Sequence, residues 1–274
     1  MTALATGITH TEEVMGTVIS FTAAPGGLPA AAVRAAIAAA CQGLHRADEV
    51  FSTWIAGSPV SRLRRGEVTV AELPPEVAAE VAEVLDLCQR AKAASRGWFD
   101  PWAMPGGLDP TGLVKGWAVE RAANSLRRAG VAAALVNGGG DLTAFGSPAP
   151  EKPGQAGQPG LPGQPGLPWR VGIRHPWRAD ALACVVNVRA AIATSASYER
   201  GAHLIDPATG LPVTAAASAS VTGPSLAIAD ALATALAVGG DDALAAIGET
   251  DGYEGYLIRA DGSEVDTGGM EFTN

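Results

Sequence analysis

An aspartate and a threonine stand four residues apart in an otherwise apolar stretch of this sequence. Asp230 and Thr234 belong to SLAIADALATALAVGG, residues 225–240. On a helix this spacing places both side chains on one face. A buried carboxylate must be paired, neutral or metal-bound, and carboxylate and hydroxyl oxygens suit Mg²⁺ or Ca²⁺. In the alternative, which stays open here, Asp230 caps a neighbouring loop and Thr234 bonds within its own helix.

A second polar group stands beside glycines at the expected start of a helix. DPTGLVKGWAVE contains Asp109, Gly112 and Lys115. Free backbone N–H groups and the positive end of the helix dipole suit a phosphate, and Lys115 adds a point charge. The GxxxxGK[ST] spacing of a P-loop is absent. The segment is a candidate phosphate site, or else a helix-opening turn with a solvated lysine.

Two further polar stretches follow strand-like sequence. VNGGGDL, residues 136–142, has glycines that permit close approach of a ligand or a strand, but no GxGxxG fingerprint; a tight turn is the alternative. AIATSASYERGAHLIDPATGLP, residues 191–212, contains His203, which is either a general base or a structural hydrogen-bonding residue. Glycine turns, a lysine, an oxygen-only metal pair and a histidine together fit chemistry on a phosphate ester or anhydride.

Long helices and short strands must position these groups. Alanine-rich apolar faces and terminal Pro, Gly and Arg signals predict helices over residues 29–51, 73–95, 114–130, 225–240 and 241–249. Runs rich in β-branched or apolar residues predict strands within residues 14–24, 131–146, 169–177, 181–195, 217–225 and 253–262. This mixture predicts an α/β or α+β fold with mixed sheets.

One segment differs in composition from the rest. Residues 147–168 read SPAPEKPGQAGQPGLPGQPGLP and contain GQPGLP twice. The run is too short for a collagen triple helix, so we expect an extended, mobile surface insertion in place of a hairpin loop. The remaining sequence over 1–274 is expected to form one domain, or two lobes that share a core.

The overall composition limits the classes of function. The chain has 274 residues, 47% of them hydrophobic and 17% charged, which is typical of a globular protein. Its net charge of −9 argues against general binding of nucleic acid or anionic membranes. The three cysteines are widely spaced and form no CxxC pair, which argues against a disulfide framework or a structural zinc site. No signal peptide, lipidation cysteine or membrane-spanning segment is evident, so we expect a cytoplasmic protein without membrane insertion.

Eight motifs in collinear order resemble the ApbE family, the FAD:protein FMN transferases. They are MGT (15–17), FSTW…SPVSRL (51–63), FDP (99–101), DPTGLVKGWAVE (109–120), VNGGGDL (136–142), AIATSASYER (191–200), HLIDPATGLPV (203–213) and ADALATAL (229–236). The resemblance implies an α+β, T-fold-like architecture with largely antiparallel sheets, flanking helices and a flavin cleft. It also implies Mg²⁺-dependent transfer of FMN from FAD to a Thr or Ser of a target flavoprotein, with release of AMP. The alternatives are an FAD pyrophosphatase and a non-catalytic FAD-binding protein.

The resemblance also implies roles for individual residues. The metal would be bound by the backbone oxygen of Gly112 and the side chains of Asp230 and Thr234, and Asp230, Lys115 and His203 would be catalytic. Contacts to FAD are implied for Met15, Trp54, Phe99, Asp100, Asp109, Lys115, Glu120 and His203. The sequence departs from the family pattern at Arg64, Pro110 and Ala196.

Overall fold

A computed structural model describes residues 7–147, 167–196, 204–213 and 216–273. The helices are α1 (Ala30–Phe51), α2 (Pro59–Arg64), α3 (Pro75–Ala94), α4 (Thr111–Arg128) and α5 (Leu226–Gly248), with a short 3₁₀ turn at Val70–Glu72. The strands are β1 (Ile8–Val14), β2 (Thr17–Ala24), β3 (Ala133–Gly138), β4 (Asp141–Phe145), β5 (Trp169–Arg174), β6 (Leu182–Val188), β7 (Ala191–Ala196), β8 (Ala216–Gly223), β9 (Glu254–Arg259) and β10 (Glu264–Asp266).

Eight of these strands form one sheet, in the order β1-β2-β3-β4-β7-β8-β9-β10. Strands β5 and β6 pair separately as a two-stranded sheet. Within the described ranges every strand pairing is antiparallel. The predicted α+β class, with largely antiparallel sheets flanked by helices, is therefore confirmed.

The large sheet has a hydrophobic core on each face, as the alternation along β3 illustrates. Ala134 and Val136 pack into the larger core with the helices, whereas Ala133 and Leu135 pack into the smaller core with β5 and β6. Side chains of successive strand residues point to opposite faces, so a strand covered on both faces has a continuous apolar sequence. The helical layer, with α4 and α5 in contact, positions the candidate site.

The helices predicted over residues 29–51, 73–95 and 114–130 are confirmed to within a few residues at each end. The two helices predicted over 225–240 and 241–249 form α5, which is broken at Gly240, where φ is 55°. The strand predicted over 14–24 is wrong at its start. Met15 and Gly16 have φ values of 56° and 68° and form the two-residue turn between β1 and β2. Such a turn requires positive φ at both positions, which Met adopts at a cost.

Helix α5 is long and apolar enough to cross a membrane when judged by length and composition alone. However, 61% of its most apolar 18-residue window is buried inside the protein. It packs against α3, α4 and strands β7, β8 and β9. Its apolar sequence is therefore explained by its position as a core helix.

All three cysteines are free thiols; Cys41 and Cys88 are buried and Cys184 is half-buried. Burial raises the pKa of Cys88 to about 12, so its thiol is protonated at neutral pH. The absence of a disulfide framework is thereby confirmed. Residues 148–166, most of the predicted insertion, lie outside the described residues, so its mobility stays a prediction.

Candidate active site

A cleft of about 440 Å³ opens where the first turn of α4, the middle of α5 and the ends of β3 and β7 meet. It brings together most of the residues to which the sequence assigns chemistry. These are Phe99, Asp100, Asp109, Gly112, Lys115, Asp230 and Thr234. Hydroxyl-bearing Thr194 and Ser195 of β7 complete the polar wall.

The charged centre of the cleft is Lys115, which faces two carboxylates. Its Nζ is in contact with Asp141 Oδ2 and lies 3.9 Å from Asp230 Oδ1. Asp141 is fully buried, and its other oxygen accepts a hydrogen bond from the backbone N–H of Thr194 at 3.0 Å. The formal charges of the three side chains, two carboxylates and one ammonium, sum to −1, so this centre favours an added cation more than an added anion.

Asp230 is held against the backbone of α4. It is 4% exposed, and its Oδ2 accepts a hydrogen bond from Gly116 N–H at 2.9 Å. In a regular helix this N–H serves the carbonyl of Gly112, so Asp230 competes with that carbonyl for the donor. A side chain at position 116 would obstruct this contact. A Cβ there would lie 2.6 Å from the Leu226 carbonyl oxygen and 2.9 Å from Asp230 Cβ.

Oxygen atoms from three elements gather beside Asp230. Thr234, one turn further along α5, has its Oγ1 3.3 Å from Ser195 Oγ on β7. Gly112 lies opposite, where a Cβ would be only 3.6 Å from Thr234 Oγ1. The spacing prediction that Asp230 and Thr234 share a helix face is confirmed, because both line the same cleft. The donor atoms here are all oxygens, the set that Mg²⁺ prefers.

Asp109 fixes the loop that enters α4. Its Oδ1 accepts hydrogen bonds from the Thr111 backbone N–H at 3.1 Å and hydroxyl at 2.6 Å, which closes the helix start. Its Oδ2 lies 3.2 Å from Arg64 Nη1. The Arg64 guanidinium also donates to the carbonyls of Pro105 and Gly106. Asp109 and Arg64 together therefore shape the cleft wall.

A second lobe of about 410 Å³ adjoins the first across Thr111 and Lys115, which line both. Met15, in its positive-φ turn, and Trp54 line this lobe. Trp54 is 95% exposed, so its indole face is available to a planar ligand. The cleft is thus two-part, with the Lys115 side chain at the junction.

Comparison with known sequences identifies the family. The sequence profile of the ApbE family matches residues 15–106 and 103–257, which is more than half of the chain and includes the cleft residues described above. This chain belongs to the ApbE family. The resemblance drawn from the eight motifs is confirmed by this match.

Curated relatives of the ApbE family are similar over part of their length. The FAD:protein FMN transferase of Treponema pallidum (strain Nichols) is 34% identical over 166 residues, which are 56% of this chain and 44% of the relative. That of Rhodobacter capsulatus is 32% identical over 166 residues, which are 57% of this chain and 29% of the relative. The matched segment is therefore less than half the length of each relative.

Solved structures show that the fold extends over almost the whole chain. The flavin transferase ApbE from Vibrio cholerae superposes with a TM-score of 0.73 at 20% identity and covers 95% of this chain and 96% of its own. The flavinyl transferase ApbE of Pseudomonas stutzeri, in its apo form, gives a TM-score of 0.71 at 22% identity, with 96% and 95% covered. The ApbE-like architecture predicted from sequence is confirmed.

Two residues implied by the ApbE pattern are not placed at the cleft by the described structure. The Glu120 carboxylate accepts hydrogen bonds from Ser225 Oγ at 2.8 Å and Ala227 N–H at 3.2 Å, so it caps the start of α5. It does not line either lobe of the cleft, and its contact with FAD stays a prediction. His203 lies outside the described residues, although Leu204 and Ile205, which follow it in sequence, line the cleft.

Sequence reasoning missed the role of Asp141. It appeared only as the acid in VNGGGDL, yet it is the buried partner of Lys115. Its position follows from the two-residue turn at Gly139 and Gly140, both with positive φ, which starts β4 at Asp141. The available signal was an aspartate immediately after a glycine turn and before an apolar run, where a charge needs a partner.

Substitution of Gly116 by Ala should destabilise the protein by about 1–3 kcal/mol, the usual cost of forcing extra volume into a packed site. The new Cβ would meet the backbone carbonyl of Leu226, which has no freedom to move aside. Gly43→Ala is the matched control, because Gly43 also lies in a helix but a Cβ there would meet nothing within 4 Å. It should stabilise by up to about 1 kcal/mol. Urea unfolding of both variants measures the difference; equal effects would contradict close packing of α4 on α5.

Proposed function

We propose that this chain transfers the FMN portion of FAD to a hydroxyl group of a partner protein and releases AMP. The observation that carries the proposal is the two-part cleft with Lys115 at its junction. FAD has the matching form, since two aromatic halves are joined by a pyrophosphate. The relatives of Rhodobacter capsulatus and Treponema pallidum are FAD:protein FMN transferases, which supports the same reaction.

The flavin half fits the lobe lined by Met15 and Trp54, where the exposed indole offers a stacking surface. The pyrophosphate then lies beside Lys115 and the first turn of α4, whose N–H groups and dipole favour negative charge. The AMP half occupies the lobe next to Phe99 and Asp100. Each part of the substrate thus meets side chains of suitable chemistry.

In the proposed step, the oxygen of a Thr or Ser hydroxyl of the target attacks the phosphorus on the FMN side. The new P–O bond forms as the bridging P–O bond breaks, and AMP leaves with the bridging oxygen. The hydroxyl proton passes to a base, for which His203 is the candidate from the sequence. Lys115, already positioned by Asp141, donates to the phosphate oxygens on which charge develops.

A Mg²⁺ ion fits the donor atoms present. Asp230, Thr234 and the Gly112 carbonyl would hold it, which makes this the metal site of the proposal. The net charge of −1 around Lys115 supports a cation at this position. Because Asp230 also accepts from the Gly116 N–H, the helical hydrogen bond to the Gly112 carbonyl is shared, and that carbonyl has a second lone pair for a metal ion. When bound, the ion supplies Lewis-acid neutralisation of pyrophosphate charge.

The test is incubation of the full chain with FAD, Mg²⁺ and a flavoprotein domain that carries an acceptor threonine. Transfer predicts that intact-mass spectrometry finds one FMN added to the target, with one AMP released. A Thr→Val version of the target should gain no mass. FMN and AMP without labelling would instead identify an FAD pyrophosphatase, and intact bound FAD would identify a non-catalytic binding protein.

Substitution of Trp54 by Ala should weaken FAD binding about 3–10-fold, because an aromatic stacking contact contributes about 0.5–1.5 kcal/mol. Trp54 is almost fully exposed, so folding should be unaffected. Trp177→Ala is the control, since Trp177 is 55% exposed but lines neither lobe of the cleft. Flavin fluorescence titration measures both affinities. Unchanged FAD affinity of the Trp54 variant would show that the flavin does not bind in this lobe.

A further inference from the structure

A second group of potential metal ligands lies between β1 and α1, outside the active-site cleft. It consists of His10, Glu12, Cys41 and His45, here called the β1–α1 cluster. Glu12 lies at its centre, with Oε2 3.1 Å from His10 Nε2 and Oε1 2.7 Å from His45 Nε2. The ligand atoms of His10, Glu12 and Cys41 all lie within 4.8 Å of one another.

The spacing of the four residues explains how two elements present them together. His10 and Glu12 are two apart on β1, so they point to the same face of the strand. Cys41 and His45 are four apart on α1, so they lie one turn apart on the same helix face. Because α1 packs against β1, each element contributes two side chains to one point. The wide spacing of the three cysteines argued against a structural zinc site, but it does not test a mixed site in which one cysteine is joined by histidine and carboxylate ligands.

We propose that the β1–α1 cluster is a transition-metal site of the zinc class. Two imidazole nitrogens, one thiolate and one carboxylate form the four-ligand, mixed set that Zn²⁺ accepts in tetrahedral geometry. The thiolate and the carboxylate balance the charge of a divalent ion. The thiol proton of Cys41 is released to solvent as the metal–sulfur bond forms.

Three of the four ligands need only small side-chain movements to bind one ion. Bond lengths of about 2.0–2.3 Å place neighbouring ligand atoms of a tetrahedral zinc site about 3.2–3.8 Å apart. The separations among the ligand atoms of His10, Glu12 and Cys41, now up to 4.8 Å, would therefore shrink by about 1 Å, and His45 would have to turn toward the same point. His10 and His45 have side chains 42% and 49% exposed, so they have room to rotate, while buried Cys41 is fixed at the base. A groove of about 450 Å³ lined by the cluster gives an ion access from solvent.

Bound metal would join two elements that both continue into the second lobe of the cleft. Three residues after Glu12, β1 reaches the turn at Met15, and the last turn of α1 carries Asp48 and Phe51. All three of these residues line that lobe. The ion would therefore link β1 to α1 near the residues that line this lobe. The proposed metal site does not depend on the proposed transfer reaction.

The rival interpretation is a metal-free hydrogen-bonding cluster, in which Glu12 accepts from two imidazoles and Cys41 is a core residue. Arg34, which lines the same groove, adds a positive charge that opposes an ion. The thiol separates the two interpretations, because only a metal site requires a bond to sulfur. Co²⁺ is the suitable probe, since a thiolate ligand gives a sulfur-to-cobalt charge-transfer band and tetrahedral geometry gives intense visible bands.

The experiment titrates the full chain with Co²⁺ in excess Mg²⁺, which occupies oxygen-only sites. We expect one Co²⁺ per chain, a charge-transfer band, and displacement by Zn²⁺. Cys41→Ser should abolish the band, and Cys184→Ser, the same change outside the cluster, should leave it unchanged. His45→Gln alters an exposed side chain and should not disturb folding, so it tests the metal site even if Cys41→Ser fails to fold. This variant should bind Co²⁺ at least about 10-fold more weakly.

Three results would overturn the metal site. They are no stoichiometric Co²⁺ binding by the wild-type chain, a charge-transfer band that survives in Cys41→Ser, and unchanged affinity in His45→Gln. Thermal unfolding gives a second readout, since a metal that binds only the folded state raises Tm. Zn²⁺ should raise the Tm of the wild-type chain and of Cys184→Ser by the same amount, and should raise that of His45→Gln less at the same Zn²⁺ concentration.

Discussion

Replacement of Asp230 by Asn should reduce the rate of FMN transfer by about 10²–10³-fold, the range for loss of one preorganised electrostatic contact. The change removes the negative charge that supports a cation beside Lys115. It keeps the shape of the side chain, and the amide oxygen can still accept from Gly116 N–H. The loss should therefore appear in catalysis and Mg²⁺ dependence, with little change in stability.

Asp242→Asn is the matched control, because Asp242 is on the same helix, carries the same charge and is exposed to solvent. Its transfer rate should equal that of the wild type. Initial rates over a Mg²⁺ series distinguish the causes, since weakened metal affinity is partly recovered at high Mg²⁺. If Asp230→Asn has wild-type activity at limiting Mg²⁺, Asp230 is not a ligand of the metal.

Local spacing was sufficient to predict some parts of the site. The four-residue interval of Asp230 and Thr234 fixes a shared helix face whatever the fold, and both line the cleft. The same rule explains why Glu120 does not line the cleft in the described structure. Five residues after Lys115 on α4, it is rotated by about 140° around the helix axis. It therefore points toward the start of α5, where it forms a cap.

Tertiary pairing could not be read from local spacing. Asp141 on β4 forms an ion pair with Lys115, which lies 26 residues earlier in the sequence. No local sequence periodicity predicts a contact of this kind. The strand predicted from residue 14 failed at Met15 for a related reason. A β-branched run signals extended chain, but the turn there uses Met at positive φ, which sequence statistics disfavour. Both exceptions lie at the cleft, where local preference gives way to the geometry of the site.

Replacement of Lys115 by Met should destabilise the protein by about 3–5 kcal/mol, because it leaves the carboxylate of Asp141 buried without its ion partner. Asp141 is fully buried and Lys115 is only 22% exposed, so the ion pair is largely shielded from water. Lys92→Met is the control: that lysine lies 2.6 Å from Asp100 but is 45% exposed. Its loss should cost less than about 1 kcal/mol. Urea unfolding measures both.

A double substitution separates the structural from the catalytic role of Lys115. Asp141→Asn removes the buried charge, while the amide oxygen still accepts from Thr194 N–H. Lys115→Met/Asp141→Asn should therefore recover most of the lost stability, since residues in direct contact are strongly non-additive. FMN transfer should stay as low as in Lys115→Met alone, because the charge proposed to face the pyrophosphate is still missing. Recovery of transfer together with stability would show that Lys115 acts only by supporting the fold.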